Sequence, residues 1–428
     1  MKKLTAILLA LALVSCTKTD DIAAGLETYR EVYGSGSSAP AEAPLYMDGI
    51  ESPDFYISGG KYYFMVSRRI TRPSGTGTAT ETNHMLAYMD SASGNAAYAC
   101  SDPLCSHVTE EECRFANLRE CRFTETPGVF YGFRESGLFG RTIWLADLNE
   151  GTSRPMHEVS WMSSAVGYEN GKLYFYEWEE ITQGRQTVNV YTYCTLDHET
   201  GEVTETGRLP DDWPYRRKSA DLVLNGELYF MTDDALVKTD AQFESVVELA
   251  ELPAPVVQWY LDRNTGELFL LTGDRDTFTG SLYVLRNGEL MPLTLTHEEI
   301  CSFSITEDRV YYTAYDPVYY GTSSLDQLSE SSADMHKTYD YTGGRLYAAD
   351  RGNPSGESET VYEAEGFDQN HMAYLREFAV VGDSLYFKEV TLSRQVIDGV
   401  ESITISHPGA ARIRVGLKDG SVTRIEFE

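Results

Sequence analysis

The stretch Asn170-Gly171-Lys172-Leu173-Tyr174-Phe175 decides the fold, because it returns. Asn225-Gly226-Glu227-Leu228-Tyr229-Phe230 is nearly a copy, Thr265-Gly266-Glu267-Leu268-Phe269-Leu270 repeats the pattern, and Gly60-Lys61-Tyr62-Tyr63-Phe64 anticipates it. Weaker copies are Gly128-Val129-Phe130-Tyr131, Asp308-Arg309-Val310-Tyr311-Tyr312 and Asp383-Ser384-Leu385-Tyr386-Phe387. Asn-Gly and its relatives supply the left-handed residues of a tight hairpin turn, and the aromatic and branched run that follows suits a buried strand. Each copy is therefore a turn feeding directly into a strand.

The seven copies, anchored at 60, 128, 171, 226, 266, 308 and 383, are spaced by 68, 43, 55, 40, 42 and 75 residues. The short spacings match one four-stranded unit of a propeller, and the long ones match such units carrying insertions. Each unit has a strand before the repeated one and a hairpin after it. Those hairpins turn at Asn149-Glu150-Gly151, Glu199-Thr200-Gly201, Asn287-Gly288, Asn353-Pro354 and Asp419-Gly420. The expected fold is all-β, a β-propeller of seven four-stranded blades over residues 46–428. The rival all-β arrangement, two packed sandwiches, does not explain the regular repetition.

The N-terminus has a different character. Met1-Lys2-Lys3 is a short basic segment, Leu4 to Leu13 is apolar, and the run ends in Leu13-Val14-Ser15-Cys16. It resembles the lipobox of bacterial lipoprotein precursors, in which the cysteine is acylated and becomes the first residue of the mature chain. The resemblance implies a signal peptide over 1–15, a lipid on Cys16, and a protein held at the extracytoplasmic face of the cell membrane. Residues 16–45 are rich in Gly, Ser, Thr, Ala and Pro and read as a flexible tether. The Asn-Gly-x-Leu-Tyr-Phe units themselves resemble the propeller domains of exported bacterial lipoproteins, related in pattern to the low-density-lipoprotein-receptor type. That resemblance implies a binding or interaction domain and brings no catalytic residue with it.

The 428 residues carry a formal charge of −31, or −33 without Lys2 and Lys3. Nucleic acid is excluded as a partner, since phosphate binding needs clustered Lys and Arg. Hydrophobic residues make up 42% of the chain, enough for a core. No nucleophile elbow, His-Glu-x-x-His, phosphate-binding Gly-Lys-Ser/Thr or EF-hand run is present, and the eight histidines form no ligand pair at helical or strand spacing. No catalytic residue is assigned, although a propeller can build an active site in its central funnel from several blades.

If the strands of a blade are lettered A to D outward from the axis, B–C and D–A connections emerge on one face. The long segments fall there: Arg68 to Asn83, Asp316 to Thr342 and Thr391 to Ala410 as B–C loops, and Leu209 to Tyr215 as a D–A connection. Aromatic and acidic residues are interleaved on this face: Trp178, Glu179 and Glu180; Asp211, Asp212, Trp213 and Tyr215; Asp316, Tyr319 and Tyr320. They either stack on a ligand such as a sugar ring or a peptide, or pack the loops down. The expected function is binding of a protein, peptide or glycan by a monomeric, lipid-anchored propeller. The alternatives are a polymer hydrolase or lyase with carboxylates in the funnel, and a structural part of a cell-envelope assembly.

Cys100, Cys105, His107, Cys113 and Cys121 fall within 22 residues, on the connection from unit one to unit two. Two disulfides suit an exported chain. Zinc is the second reading, with three thiolates and His107 as ligands. Unpaired thiols are a third, and an iron–sulfur or heme role has no supporting motif, since Cys-x-x-Cys-His is absent. No other cofactor is expected. Cys194 and Cys301 lie in apolar strands and read as small buried side chains.

Overall fold

A computed structural model describes residues 50–51, 55–74, 77–90, 93–102, 105, 113–136, 140–183, 186–262, 265–274, 279–314, 344–364, 371–397 and 400–425. The described residues form strands and turns, with no helix. After the short β1 (Ile50–Glu51) the strands fall into seven consecutive groups of four. Unit 1 holds β2 (Tyr56–Ser58), β3 (Lys61–Ser74), β4 (Gly77–Asp90) and β5 (Ala96–Tyr98). Unit 2 holds β6 (Arg119–Phe123), β7 (Val129–Ser136), β8 (Gly140–Asp147) and β9 (Thr152–Ser160). Unit 3 holds β10 (Ser164–Glu169), β11 (Lys172–Gln183), β12 (Gln186–Asp197) and β13 (Val203–Arg208). Unit 4 holds β14 (Leu222–Leu224), β15 (Glu227–Met231), β16 (Ala235–Asp240) and β17 (Val246–Glu251). Unit 5 holds β18 (Val256–Asp262), β19 (Glu267–Asp274), β20 (Thr279–Arg286) and β21 (Glu289–Pro292). Unit 6 holds β22 (Ile300–Ile305), β23 (Arg309–Ala314), β24 (Arg345–Asp350) and β25 (Glu359–Glu363). Unit 7 holds β26 (His371–Val381), β27 (Ser384–Ile397), β28 (Val400–Gly416) and β29 (Val422–Ile425).

Within every unit neighbouring strands pair antiparallel. Units 2, 3, 4 and 7 are separate sheets. Units 1, 5 and 6 merge into one thirteen-stranded sheet, because β1 pairs with both β2 and β18 and because Gly280 pairs with Ile300. The repeated turns behave as their composition requires. Asn170-Gly171 and Asn225-Gly226 sit between the first and second strands of their units with both residues at positive φ, 52° and 75°, and 55° and 75°. That is the type I′ geometry, which Asn-Gly adopts at least cost and whose twist matches the strands it joins.

The apolar runs do not alternate with polar residues, and the packing shows why. Successive strand residues point to opposite faces of their sheet, and here both faces are covered. Tyr63 packs with Phe123 and Phe130 of unit 2, while Tyr62 stacks on Tyr386 of unit 7, ring centroids 5.6 Å apart. Phe130 faces unit 1 and Tyr131 faces Tyr168 and Phe175 of unit 3. Phe230 packs toward unit 3 and Tyr229 toward Leu268 and Leu270 of unit 5; Phe269 then turns to unit 6. Four hydrophobic clusters thus lie between successive units from 1 to 5, and the fifth runs through units 5, 6 and 7 back to unit 1. First strands pack on first strands around the centre, β2 on β6, β6 on β10, β10 on β14, β18 on β22 and β22 on β26. This is a β-propeller.

Among the described residues no strand is exchanged between the first and last units. Unit 1 is built wholly from residues 56–98 and unit 7 from 371–425. Side chains join them: the Tyr62 hydroxyl donates to the Glu377 carbonyl at 2.9 Å, and Arg412 Nη1 donates to that hydroxyl at 2.9 Å and pairs with Glu377 Oε2 at 2.5 Å.

Two insertions are strand, not loop. Residues 68–83, expected as a B–C loop, continue β3 and β4 as a hairpin in unbroken register from Arg68↔Asn83 to Ser74↔Gly77. Residues 391–410 also extend their hairpin in unit 7, with a register shift after Val390↔Ala410 and then continuous pairing from Leu392↔Ile405 to Ile397↔Val400. The β-branched residues Ile70, Thr71, Thr78, Thr80 and Thr82, and Ile403, Thr404 and Ile405, favour extended chain, and cross-strand pairing outweighs the Gly-rich tips. In unit 3, β11 and β12 also pair over twelve residues each, from Lys172↔Asp197 to Gln183↔Gln186. The segment 316–342 lies outside the described residues.

Candidate functional site

The three long hairpins leave the ring on the B–C and D–A side, and the central funnel opens on that side too. A cavity of about 340 Å³ is lined there by Arg122, Ser164, Tyr176, Arg217, Asp221 and Gln258, from units 2 to 5. Ser164 and Gln258 stand near the starts of β10 and β18, and Arg217 and Asp221 precede β14, so all three first strands present their entry ends. The aromatic rings of Phe55, Tyr62, Tyr260 and Phe303, from units 1, 5 and 6, pack on one another in the core, with neighbouring centroids 4.9 to 5.7 Å apart.

The polar side chains in this funnel hold the walls together. Arg122 donates to the Ala165, Val166 and Cys121 carbonyls and to the Tyr56 hydroxyl, joining units 1, 2 and 3. Asp221 pairs with Arg217 and accepts from the Met231 amide at 2.8 Å. The first strands of units 2 and 7 share a bulge that places a glutamate at positive φ, Glu120 at 51° and Glu377 at 60°. A left-handed non-glycine residue costs on the order of 1 kcal/mol, so its surroundings must hold it. They do so in the same way twice. Glu120 pairs with Arg141 on β8 at 2.9 Å and accepts from Ser164 of the next unit at 2.7 Å. Glu377 pairs with Arg412 on β28, which bonds Tyr62 of the next unit.

The candidate aromatic residues divide. Trp178 stacks on Tyr191 at 5.9 Å and 19°, half-exposed on the unit 3 hairpin, with Glu179 exposed beside it. A second depression of about 440 Å³ lies next to this stack, lined by Asn189, Tyr191, Pro210, Asp211 and Lys218. Trp213 is only 8% exposed; it packs on Phe230 and Phe243 and its indole N–H donates to the Arg217 carbonyl at 3.0 Å. It fastens the 209–221 connection to the core, and Tyr215 lies against it with its hydroxyl donating to Glu248. Asp316, Tyr319 and Tyr320 lie outside the described residues. Trp161, which the sequence reading passed over, is 55% exposed on the D–A connection from unit 2 to unit 3. Its signal was a large aromatic in the short polar turn Ser160-Trp161-Met162-Ser163, where a core role has no strand to sit on.

The cysteine segment lies on the same side, between β5 and β6. The Sγ atoms of Cys100, Cys105 and Cys113 lie within 4.8 Å of one another, with Cys113 buried and the other two half-buried. Cys121 stands apart on β6, its Sγ 3.6 Å from the Leu118 carbonyl, and burial pushes its pKa up to about 12. No pair among these four is joined by a disulfide here. His107 and Cys16 lie outside the described residues. Cys194 and Cys301 are buried in strands, as their apolar context implied.

No protein-family model matches the chain, and neither does any curated protein. Among solved structures it is similar to the β-propeller domain of the Trilobed protease from Pyrococcus furiosus, at 12% identity and a TM-score of 0.48 over 88% of this chain and 98% of that one. It is also similar to the Pyrococcus horikoshii acylaminoacyl peptidase, at 11% identity and 0.48 over 85% of this chain and 54% of that one, so it spans about half of that enzyme. An oligogalacturonate lyase in complex with manganese matches at 8% identity and 0.42, over 80% of this chain and 98% of the lyase. Likenesses of this strength carry no residue role or activity across to this chain.

Proposed function

We propose that this chain is a seven-bladed, lipid-anchored propeller of the extracytoplasmic face that binds a protein, peptide or glycan on its hairpin-bearing side. The supporting observation is that the open part of the funnel, the hairpins of units 1, 3 and 7 and the accessible rings of Trp161 and Trp178 share that side. Flat aromatic faces beside acidic residues suit sugar rings or an extended peptide. The hydrolase alternative needs two carboxylates about 5–9.5 Å apart, and among the described residues Asp221, already paired with Arg217, is the one carboxylate lining the cavity. The anchor reading rests on the basic Met1-Lys2-Lys3, the apolar run Leu4 to Leu13 and the Leu13-Val14-Ser15-Cys16 that ends it.

The test is quantitative binding to a panel of surface polysaccharides and peptides with wild type and with Trp161→Ala/Trp178→Ala. A ligand that loses at least about tenfold in affinity, roughly 1.4 kcal/mol, with unfolding unchanged, supports the reading. Undiminished binding by the double variant places the ligand elsewhere.

A further inference from the structure

The described residues of the connection between units 1 and 2 bring three thiols together. Cys105 N–H donates to the Asp102 carbonyl at 3.1 Å. Cys113 begins a second turn, in which Ala116 N–H donates to its carbonyl at 3.2 Å. That turn is clamped from three sides. Asn117 N–H donates to the His84 carbonyl at 2.7 Å, and His84 N–H donates back to Asn117 Oδ1 at 2.8 Å. Arg134 Nη2 donates to the Arg114 and Ala116 carbonyls at 2.6 and 2.9 Å. Met85 and Ala116 form a β-bridge. These bonds fix the backbone that carries Cys113, and the three cysteines pack with Tyr63, Met85, Leu86 and Phe115.

Three roles can be weighed on this geometry. A disulfide joins two sulfurs and strands the third. A reactive thiol uses one sulfur and leaves the two beside it without a role. A cation resolves both difficulties, since it takes all three sulfurs and stabilises them as thiolates. Tetrahedral zinc holds thiolates at about 2.3 Å, which sets sulfurs about 3.8 Å apart. Sulfurs already within 4.8 Å of one another reach that spacing by side-chain adjustment of about an ångström.

We propose that Cys100, Cys105 and Cys113 bind one zinc ion as a three-thiolate site that staples the unit 1–unit 2 connection, with Cys121 outside it. Binding displaces the three thiol protons to solvent, so the site empties as the pH falls. Soft sulfur ligands select zinc over calcium, magnesium or manganese. The inference is independent of what the hairpin side binds.

The full chain, purified with reductant, is loaded with Zn²⁺, exchanged into metal-free buffer and analysed for metal; Co²⁺ replacement then reads thiolate ligation from its sulfur-to-cobalt absorption. One zinc per chain is expected, excess Mn²⁺ or Ca²⁺ does not displace it, and Cys105→Ser and Cys113→Ser each lose it. Cys121→Ser, Cys194→Ser and Cys301→Ser keep it. If Cys113→Ser fails to fold, half-buried Cys100→Ser and Cys105→Ser carry the test, with folding checked by circular dichroism. The proposal is overturned if non-reducing peptide mapping of the native protein finds a disulfide between any two of the three. It is also overturned if the wild type retains no zinc, or if the triple serine variant retains it equally.

Discussion

Arg412→Met tests how the ring is shut. Arg412 and Glu377 side chains are 7% and 10% exposed, so theirs is a buried ion pair, and Arg412 also donates to the Tyr62 hydroxyl across the unit 1–unit 7 boundary. Removing one partner of a buried pair costs about 3–5 kcal/mol, because the remaining charge keeps its desolvation penalty. Lys388 Nζ stands 3.5 Å from Glu377 Oε1 and takes up part of the load, which sets the expectation at about 3 kcal/mol, the lower end of that range. Glu377→Gln combined with Arg412→Met removes both charges, and replacing a whole pair is far cheaper than breaking it. The double variant should therefore recover at least about 1 kcal/mol of the single variant's loss. Urea unfolding followed by tryptophan fluorescence measures both, and hydrogen exchange reads where the loss falls. The amides of β2, β3 and β26 should lose protection before those of units 3 and 4, since side chains join the seam and no strand is shared across it among the described residues. A loss below about 1 kcal/mol for Arg412→Met, or a double variant no better than the single one, would refute the argument.

Other perturbations follow from the same packing. Trp213→Ala should cost about 3–5 kcal/mol as a core truncation, whereas Trp161→Ala should leave the urea midpoint within about 0.5 kcal/mol of wild type. Gly280→Ala should destabilise measurably, because an added Cβ would fall 1.9 Å from the Thr272 carbonyl oxygen, and Gly280 is the residue that pairs β20 with Ile300. Burial, reinforced by the Arg119 charge and opposed by Glu135, holds His84 below its usual value of 6.5. The unfolded chain then binds a proton first, so this contribution is whole above about pH 6.5 and is lost as the pH falls below it. The stability difference between wild type and His84→Gln should therefore shift against the wild type between pH 7 and pH 5, measured by urea midpoints. Cys16→Ala should release the protein from membranes, and fractionation that still finds it there contradicts the anchor.

Much of the fold could be read in advance because its signals are local. Asn170-Gly171 and Asn225-Gly226 specify a turn by backbone sterics, and an apolar run after the turn specifies a strand covered on both faces. The ring closure could not be read that way. Glu377 and Arg412 lie 35 residues apart, and the bulge that turns Glu377 toward Arg412 has no sequence mark. Residues 68–83 and 391–410 looked like loops because polar residues and glycines dominate them, yet they pair across the hairpin as strands that carry scattered β-branched residues. Trp213 looked exposed because Asp211, Asp212 and Pro214 surround it; its ring instead found Phe230 and Phe243, distant in sequence. Spacing grouped four cysteines, and only the fold separates Cys121, carried off by β6, from the three that meet.

The ring itself is tested most directly by a crystal structure of the chain from Met47 onward, read at the junction of its first and last sheets. The expected map shows Tyr62 stacked on Tyr386 near 5.6 Å with Arg412 reaching the Tyr62 hydroxyl, and each unit built from its own four consecutive strands. A map in which these two sheets stand apart, or in which the sheets pair off into two sandwiches, would contradict it.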